Sequence, residues 1–178
     1  MVMAVSAAAR VDATERALRA WHVLERVLDP EVPVVSVVDL GIVRELTERD
    51  DGSLAVVLTP TYSGCPATEV IEQSVRVALA EAGFERVAVR LQRAPAWTTD
   101  WISAEGRRKL REYGIAPPGA AAAEQGVPIR LVRREPTLAC PRCDSMNTER
   151  LSAYGSTACK ALYRCRACGE PFEHFKPI

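Results

Sequence analysis

The chain has 178 residues, 48% of them hydrophobic and 26% charged, enough for one ordinary core and a small second module. Its 23 basic and 23 acidic residues cancel, which argues against a general polyanion binder, and its apolar runs are too short to span a membrane. Residues 1–98 hold 10 basic and 14 acidic groups, 99–136 hold 7 and 5, and 137–178 hold 6 and 4, so no segment has the basicity of a nucleic-acid module.

The N-terminal MVMAVSAAAR is small and apolar but lacks the basic flank and hydrophobic stretch of an export signal, so it reads as a frayed tail on a cytoplasmic protein. Six cysteines in a reducing compartment are read as thiols or metal ligands before disulfides. A helix is predicted from Ala13 to Leu28: Asp12 and Glu15 form an acidic cap, and Ala17, Trp21, Leu24 and Leu28 fall on one face. Asp29-Pro30 ends it. EVPVVSVVDLG then reads as a structured loop. IVRELTER and SLAVVLT flank Asp50-Asp51-Gly52 as the arms of a hairpin.

TYSGCP follows the second arm directly. A helix is predicted from Pro66 to Ala82, with Ile71, Val75, Ala78 and Leu79 at helical spacing and Gly83 as its stop. RVAVRLQ alternates as a third strand. The order α-β-β-α-β predicts an α+β domain with helices packed on a small sheet. APAWTTDWIS has no period despite its two tryptophans. Ser103 to Tyr113 is a basic helix stopped by Gly114, and IAPPGAAAAEQGVP is a linker by composition. The expected organisation is a domain over 1–115, a linker over 116–135 and a cysteine-rich module over 136–178.

That module holds the strongest motif. Cys140-Pro-Arg-Cys143 and Cys165-Arg-Ala-Cys168 are separated by 21 residues, and two thiolates three positions apart in a tight turn can face one ion. The intervening TERLSAY, Gly155-Ser156 and ACKALYR suit a hairpin, giving the pattern of a zinc ribbon. About 40 residues cannot bury enough surface to fold alone, so the metal is expected to be part of the module's stability. Zn²⁺ suits a closed four-thiolate site that needs no redox chemistry; iron or an iron–sulfur cluster would accept the same ligands. Cys159 reads as a packed strand residue and His174 as a surface residue of the tail.

Cys65 stands apart. If Pro66 opens the helix, Cys65 is its N-cap, where the dipole and orphan N–H groups favour a thiolate. Gly64 leaves the sulfur uncovered. One thiol makes no metal cage, however, and Asp29, Glu31 and Asp39 are candidate partners that sequence cannot bring to it. A ligating thiol and a small buried hydrophobe both remain open readings. No phosphate loop or catalytic constellation competes: His22 lies on a helix face, and Asp50-Asp51 suits a turn. Arg107-Arg108-Lys109-Arg111 reads as a solvated helix face or a dock for an acidic partner.

LDPEVPVVSVVDLGIV followed by TPTYSGCPA resembles the iron–sulfur assembly factor domain family, whose bacterial members include SufT-like proteins. The matching motifs are Asp29-Pro30-Glu31, Asp39-Leu40-Gly41 and Thr59-Pro60 with Cys65-Pro66. With AWTTDWIS, REYGIAPP and GSTACKALYRCRACGEPFEHFK, the chain is similar to the PaaD (PaaJ) group of accessory subunits encoded with phenylacetyl-CoA 1,2-epoxidase. The resemblance implies a non-enzymatic helper in phenylacetate catabolism that assists iron or iron–sulfur cluster delivery, with Cys65, Asp29 and Glu31 as transfer residues. The second reading is a non-catalytic structural or docking subunit of the oxygenase complex. Implied partners are the reductase or oxygenase subunits and a homodimer, with no nucleic acid and no membrane. Cofactors would be a structural zinc on Cys140, Cys143, Cys165 and Cys168, and iron or a cluster held in transit. The chain has no Glu-x-x-His signature of a di-iron centre.

Overall fold

The computed structural model describes residues 2–6, 9–12, 14–62, 64–119 and 138–178. The chain forms two compact units, Met1–Gly106 and Arg107–Ile178. The fold is α+β, with three α-helices and two sheets among the described residues. Most of the segment expected as a linker, residues 120–135, lies outside the described residues.

The first unit carries a five-stranded sheet in the order β1-β2-β3-β4-β5: β1 Val2–Ser6, β2 Ala9–Asp12, β3 Val43–Glu48, β4 Leu54–Leu58 and β5 Val87–Leu91. The hairpin β3–β4 and strand β5 fall where the alternating patterns predict them. The N-terminal segment does not follow its expectation. Instead of a frayed tail it forms β1 and β2, and β2 pairs parallel with β3 through Arg10↔Glu45 and Val11↔Leu46. Partnership with a strand more than thirty residues away is a tertiary effect that local pattern does not carry.

Helices α1 (Glu15–Leu24) and α2 (Thr68–Glu81) pack on each other and on the sheet. Both are shorter than their periodic patterns. Thr14, not Asp12, caps α1: its Oγ1 accepts from the Ala17 N–H at 3.1 Å. The helix stops at Leu24, and beyond it the Val27 carbonyl accepts from the Val37 N–H and the Asp29 N–H donates to the Val35 carbonyl, both at 2.9 Å. Ala17, Ala20, Trp21, Leu24, Ile71, Val75 and Leu79 are buried beneath the two helices, and Val43, Leu46, Leu54, Val56 and Leu58 supply the sheet's share of the core. Gly83 ends α2 at φ +87°, and the Phe84 N–H returns to the Leu79 carbonyl at 2.9 Å while its ring is buried.

Beyond β5, a 3-10 turn over Thr99–Trp101 leads into α3, Ala104–Tyr113. The tryptophans without a period have a structural task. Trp97 Nε1 donates to the Leu40 carbonyl at 2.9 Å, and the Ser103 N–H donates to the Asp39 carbonyl at 2.9 Å. Gly41 sits at φ +67°, where a Cβ would lie 2.5 Å from the Trp101 carbonyl oxygen. Asp39-Leu40-Gly41 is therefore the anchor on which residues 97–106 are laid.

The second unit holds a four-stranded sheet in the order β6-β9-β8-β7: β6 Ile115–Ala116, β7 Thr148–Ser152, β8 Lys160–Cys165 and β9 Pro171–Phe175. The β7–β8 hairpin matches the expected arms, with β9 and the short β6 added outside them. Its core is small: Ala116, Cys140, Ala161, Tyr163, Cys165 and Phe172, with Tyr163 and Phe172 stacked at 5.8 Å. Lys160, buried, pairs with Glu173 at 2.9 Å across β8 and β9. Burial works against the Glu173 carboxylate, but the Ser156 N–H and Lys160 outweigh it and hold the group below the usual carboxylate range.

Gly41→Ala combines a strained φ with a backbone clash and is expected to cost about 2 kcal/mol or more, roughly 8 °C or more in the first unit's thermal midpoint. Gly83→Ala, where a Cβ meets nothing within 4 Å, pays only for its φ and loses less. Thermal denaturation of both variants beside the parent chain checks the ranking.

Candidate functional site

The ribbon cysteines come together. The Sγ atoms of Cys140, Cys143, Cys165 and Cys168 all lie within 4.8 Å of one another. Cys140 and Cys168 are 3.8 Å apart, and Cys143 and Cys165 are 3.6 Å apart. A disulfide would require about 2.0 Å. Four thiolates around one ion with bonds of about 2.3 Å have edges of about 3.8 Å, so the spacing fits a tetrahedral metal site.

Each knuckle is a tight turn that aims its sulfurs inward. The Asp144 N–H donates to the Cys140 carbonyl at 2.9 Å, and the Cys140 N–H donates to the Ser145 carbonyl at 3.0 Å. The second knuckle repeats this: Gly169 N–H to Cys165 carbonyl and Cys165 N–H to Glu170 carbonyl, both at 2.9 Å. The backbone N–H of Cys168, aided by that of Ala167, overcomes burial and brings Cys165 down to about 6. At Cys143 the Ser145 N–H lowers the pKa, but the neighbouring Cys165 and Cys168 thiols win and push it up to about 12. Cys165 deprotonates readily while Cys143 and Cys168 resist, as expected of a thiol cluster whose charge needs a cation.

Charged side chains brace the knuckles from outside. Glu149 on β7 accepts from Arg164 Nε at 3.0 Å and also from Arg166 within the second knuckle. Arg166 and then Arg164 hold the Glu149 carboxyl at about 2. Arg111 pairs with Asp144, which follows the first knuckle. Of the other basic residues of α3, Arg107 donates to the Pro118 carbonyl and Arg108 pairs with Glu112 along the helix.

Cys159 is buried, with Thr157 Oγ1 3.0 Å from its sulfur, and lies outside the four-thiol group. His174 departs from its expectation as a surface residue of the tail. It is buried in β9, with Nδ1 3.2 Å from the Ala116 carbonyl and the ring edge-on to Tyr163. Burial lowers its pKa, outweighing the Ala116 contact. The alternation Phe172, His174 along a third strand was the missed signal.

In the first unit, antiparallel β3 and β4 begin and end together at Val43↔Leu58, and parallel β5 ends beside them at Leu58↔Leu91. The segment before β3 (residues 29–42) and the one after β4 (59–65) therefore leave the same end of the sheet, and the Thr59 N–H donates to the Ile42 carbonyl at 2.8 Å. Asp29 is buried, and its Oδ1 accepts from the N–H groups of both Glu31 and Val32 at 2.9 Å. Ser36 and Asp39 cap each other: Asp39 Oδ2 accepts from Ser36 N–H at 2.9 Å, and Ser36 Oγ accepts from Asp39 N–H at 3.0 Å. Asp29 and Asp39 thus shape the loop, and Glu31 is half-buried.

Cys65 is also half-buried and is not an N-cap. The cap of α2 is Ala67, two residues on. The Cys65 carbonyl instead accepts from the Thr68 N–H at 3.2 Å and Thr68 Oγ1 at 2.8 Å, which fixes the turn before the helix. Pro66 and Ala67 belong to that turn, so the helix-start argument does not reach this sulfur. Among the described residues Cys65, Asp29 and Glu31 are not gathered into a group like that of the ribbon thiols.

Arg44, also at this end of β3, is a residue that sequence reading missed. Its guanidinium lies 3.4 Å from the Trp101 ring centroid, and its NH1 is 3.4 Å from the Gly41 carbonyl. Burial brings it down to about 10, still a cation at neutral pH. No periodicity links Arg44 to a tryptophan 57 residues away.

Comparison with known proteins covers both units. Residues 18–91 match the family described as iron-sulfur cluster assembly protein, and residues 124–176 match the PaaD zinc beta ribbon domain. The chain is 48% identical over 158 residues to a "Putative 1,2-phenylacetyl-CoA epoxidase" subunit of Escherichia coli (strain K12), covering 89% of this chain and 91% of that one. It is 35% identical over 90 residues to the Fe-S protein maturation auxiliary factor of Porphyromonas gingivalis, covering 50% of this chain and 85% of the relative. A solved domain of unknown function (DUF59) from Bacillus anthracis has the first unit's fold, with a TM-score of 0.51 and 26% identity over 53% of this chain and 91% of its own.

The four-thiol geometry predicts one tightly held metal ion per chain by elemental analysis of purified protein. Cys165→Ala is expected to lose that ion and the ribbon's amide dispersion in NMR, while Cys65→Ala keeps both. Full metal retention in Cys165→Ala would contradict the assignment.

Proposed function

The chain belongs to the PaaD family of phenylacetyl-CoA epoxidase subunits, and from that premise we propose that it is a maturation subunit that passes iron or an iron–sulfur cluster to that enzyme system. The single observation that carries this reading is the separation of the sulfurs. Four are committed to one closed group in the ribbon, while Cys65 stands outside it, half-buried, on a turn at the sheet end shared with the Asp29–Glu31 loop.

The ribbon metal in this reading is Zn²⁺, held by Cys140, Cys143, Cys165 and Cys168 as a permanent structural ion. Two S–S distances of 3.6 and 3.8 Å, with all four sulfurs within 4.8 Å of one another, suit a single ion, and a filled tetrahedron leaves no open position for chemistry. Iron or the cluster is cargo. The Cys65 sulfur bonds to iron as its thiol proton passes to the ligand it replaces; a client thiol then binds the iron and its proton passes to the departing Cys65 sulfur. Oxidation states are unchanged throughout, because the step is ligand exchange. Asp29 holds the loop by accepting two N–H groups, and Glu31, on the same loop, is the carboxylate assigned to the cargo's charge. The clients are the reductase or oxygenase subunits of the epoxidase.

In cells that depend on this chain for phenylacetate use, Cys65→Ala is expected to reduce epoxidase activity at least about tenfold, with normal levels of folded, metal-loaded protein. Iron and acid-labile sulfide measured in the purified client should fall in parallel. Normal client metal content in the Cys65→Ala strain would defeat the proposal and favour a purely structural or docking role.

A further inference from the structure

The large apolar side chains of the first unit that remain exposed, among its described residues, are Leu28, Val70 and Val77, at 50%, 52% and 43%. Val70 and Val77 are two turns apart on one stripe of α2, whose other face buries Ile71, Val75 and Leu79. Leu28 and Val77 meet at a groove of about 360 Å³. One wall is Arg26, Val27 and Leu28, which follow α1; the other runs along α2 from Gln73 to Glu81.

The charges at this groove point to its occupant. Arg26 and Glu81 are exposed and stand on opposite walls. Neither side chain has a hydrogen-bond or ion-pair partner among the described residues, although nearby Arg76 is paired with Glu72 at 2.7 Å. A patch that carries one unpaired charge of each sign on opposite sides of an apolar centre is complementary to itself under a two-fold rotation. The rotation brings Arg26 of each copy to Glu81 of the other and lays Leu28 on Val77.

We propose that this face is the interface of a two-fold dimer of the chain, with Leu28 and Val77 at its centre and reciprocal Arg26–Glu81 pairs at its rim. The patch is small, so the dimer belongs to the weaker class of association and forms reversibly. It does not depend on Cys65 or on what the chain delivers.

Sedimentation velocity of the metal-loaded full chain over a concentration series tests this. The parent chain should shift from monomer to dimer, and Val77→Asp should remain monomeric. Arg26→Glu and Glu81→Arg should each weaken the dimer at least about tenfold, and the double exchange should restore it, because both rim pairs re-form with reversed sign. A parent chain that stays monomeric throughout overturns the proposal and leaves the face to a different protein. A dimer indifferent to Val77→Asp, or a double exchange no better than the single ones, overturns it equally.

Discussion

The backbone of Trp101 passes so close to Gly41 that no side chain fits between them, and much of the first unit's loop end is arranged around that contact. Gly41 completes a turn whose carbonyls at Asp39, Leu40 and Gly41 receive, in order, the Ser103 N–H, the Trp97 indole and the Arg44 guanidinium. Asp39 is tied into its own loop by reciprocal capping with Ser36. The segment after β5 is thus bound to the loop before β3, and β3 pairing with β4 sets that loop beside the turn containing Cys65. The arrangement fixes two loops at one end of the sheet.

The two units treat sulfur in opposite ways. In the ribbon, backbone N–H groups and neighbouring thiols shape a closed group that fits one ion, and the core beyond it is only a handful of side chains. A metal held by these four sulfurs would couple its binding to the folding of this unit. In the first unit the core is made mostly of aliphatic side chains from α1, α2 and the sheet. Its single cysteine stands on a turn rather than in that core. The proposed maturation role rests on this division of labour between the four clustered thiols and Cys65.

Much of this was legible in the sequence, for identifiable reasons. The ribbon was readable because ligand spacing is a geometric constraint that survives without any tertiary information. The β3–β4 hairpin, α2 and β5 followed from their periods and from Gly52 and Gly83. The strands at the N-terminus, the shortened α1, the buried His174, the Trp97–Leu40 bond and the Arg44–Trp101 contact were not readable, since each depends on partners well outside its own stretch of sequence. Cys65 shows the limit of helix-start reasoning. Pro66 suits a first helical position, yet the Thr68 hydroxyl and N–H hold the Cys65 carbonyl in a preceding turn, which moves the helix start by two residues. What the position keeps is partial exposure, and the role proposed for it rests on family membership rather than on the helix dipole.

The most direct measurement of the central claim is anaerobic iron loading of the purified chain, read by elemental analysis and absorption spectroscopy with and without Cys65. The account predicts that the parent chain takes up iron beyond its ribbon metal, with thiolate-to-iron charge-transfer bands, and gives it up to a client apoprotein. Cys65→Ala should retain the ribbon metal and lose both the additional iron and its bands. Equal iron uptake and transfer by the parent chain and Cys65→Ala would contradict it.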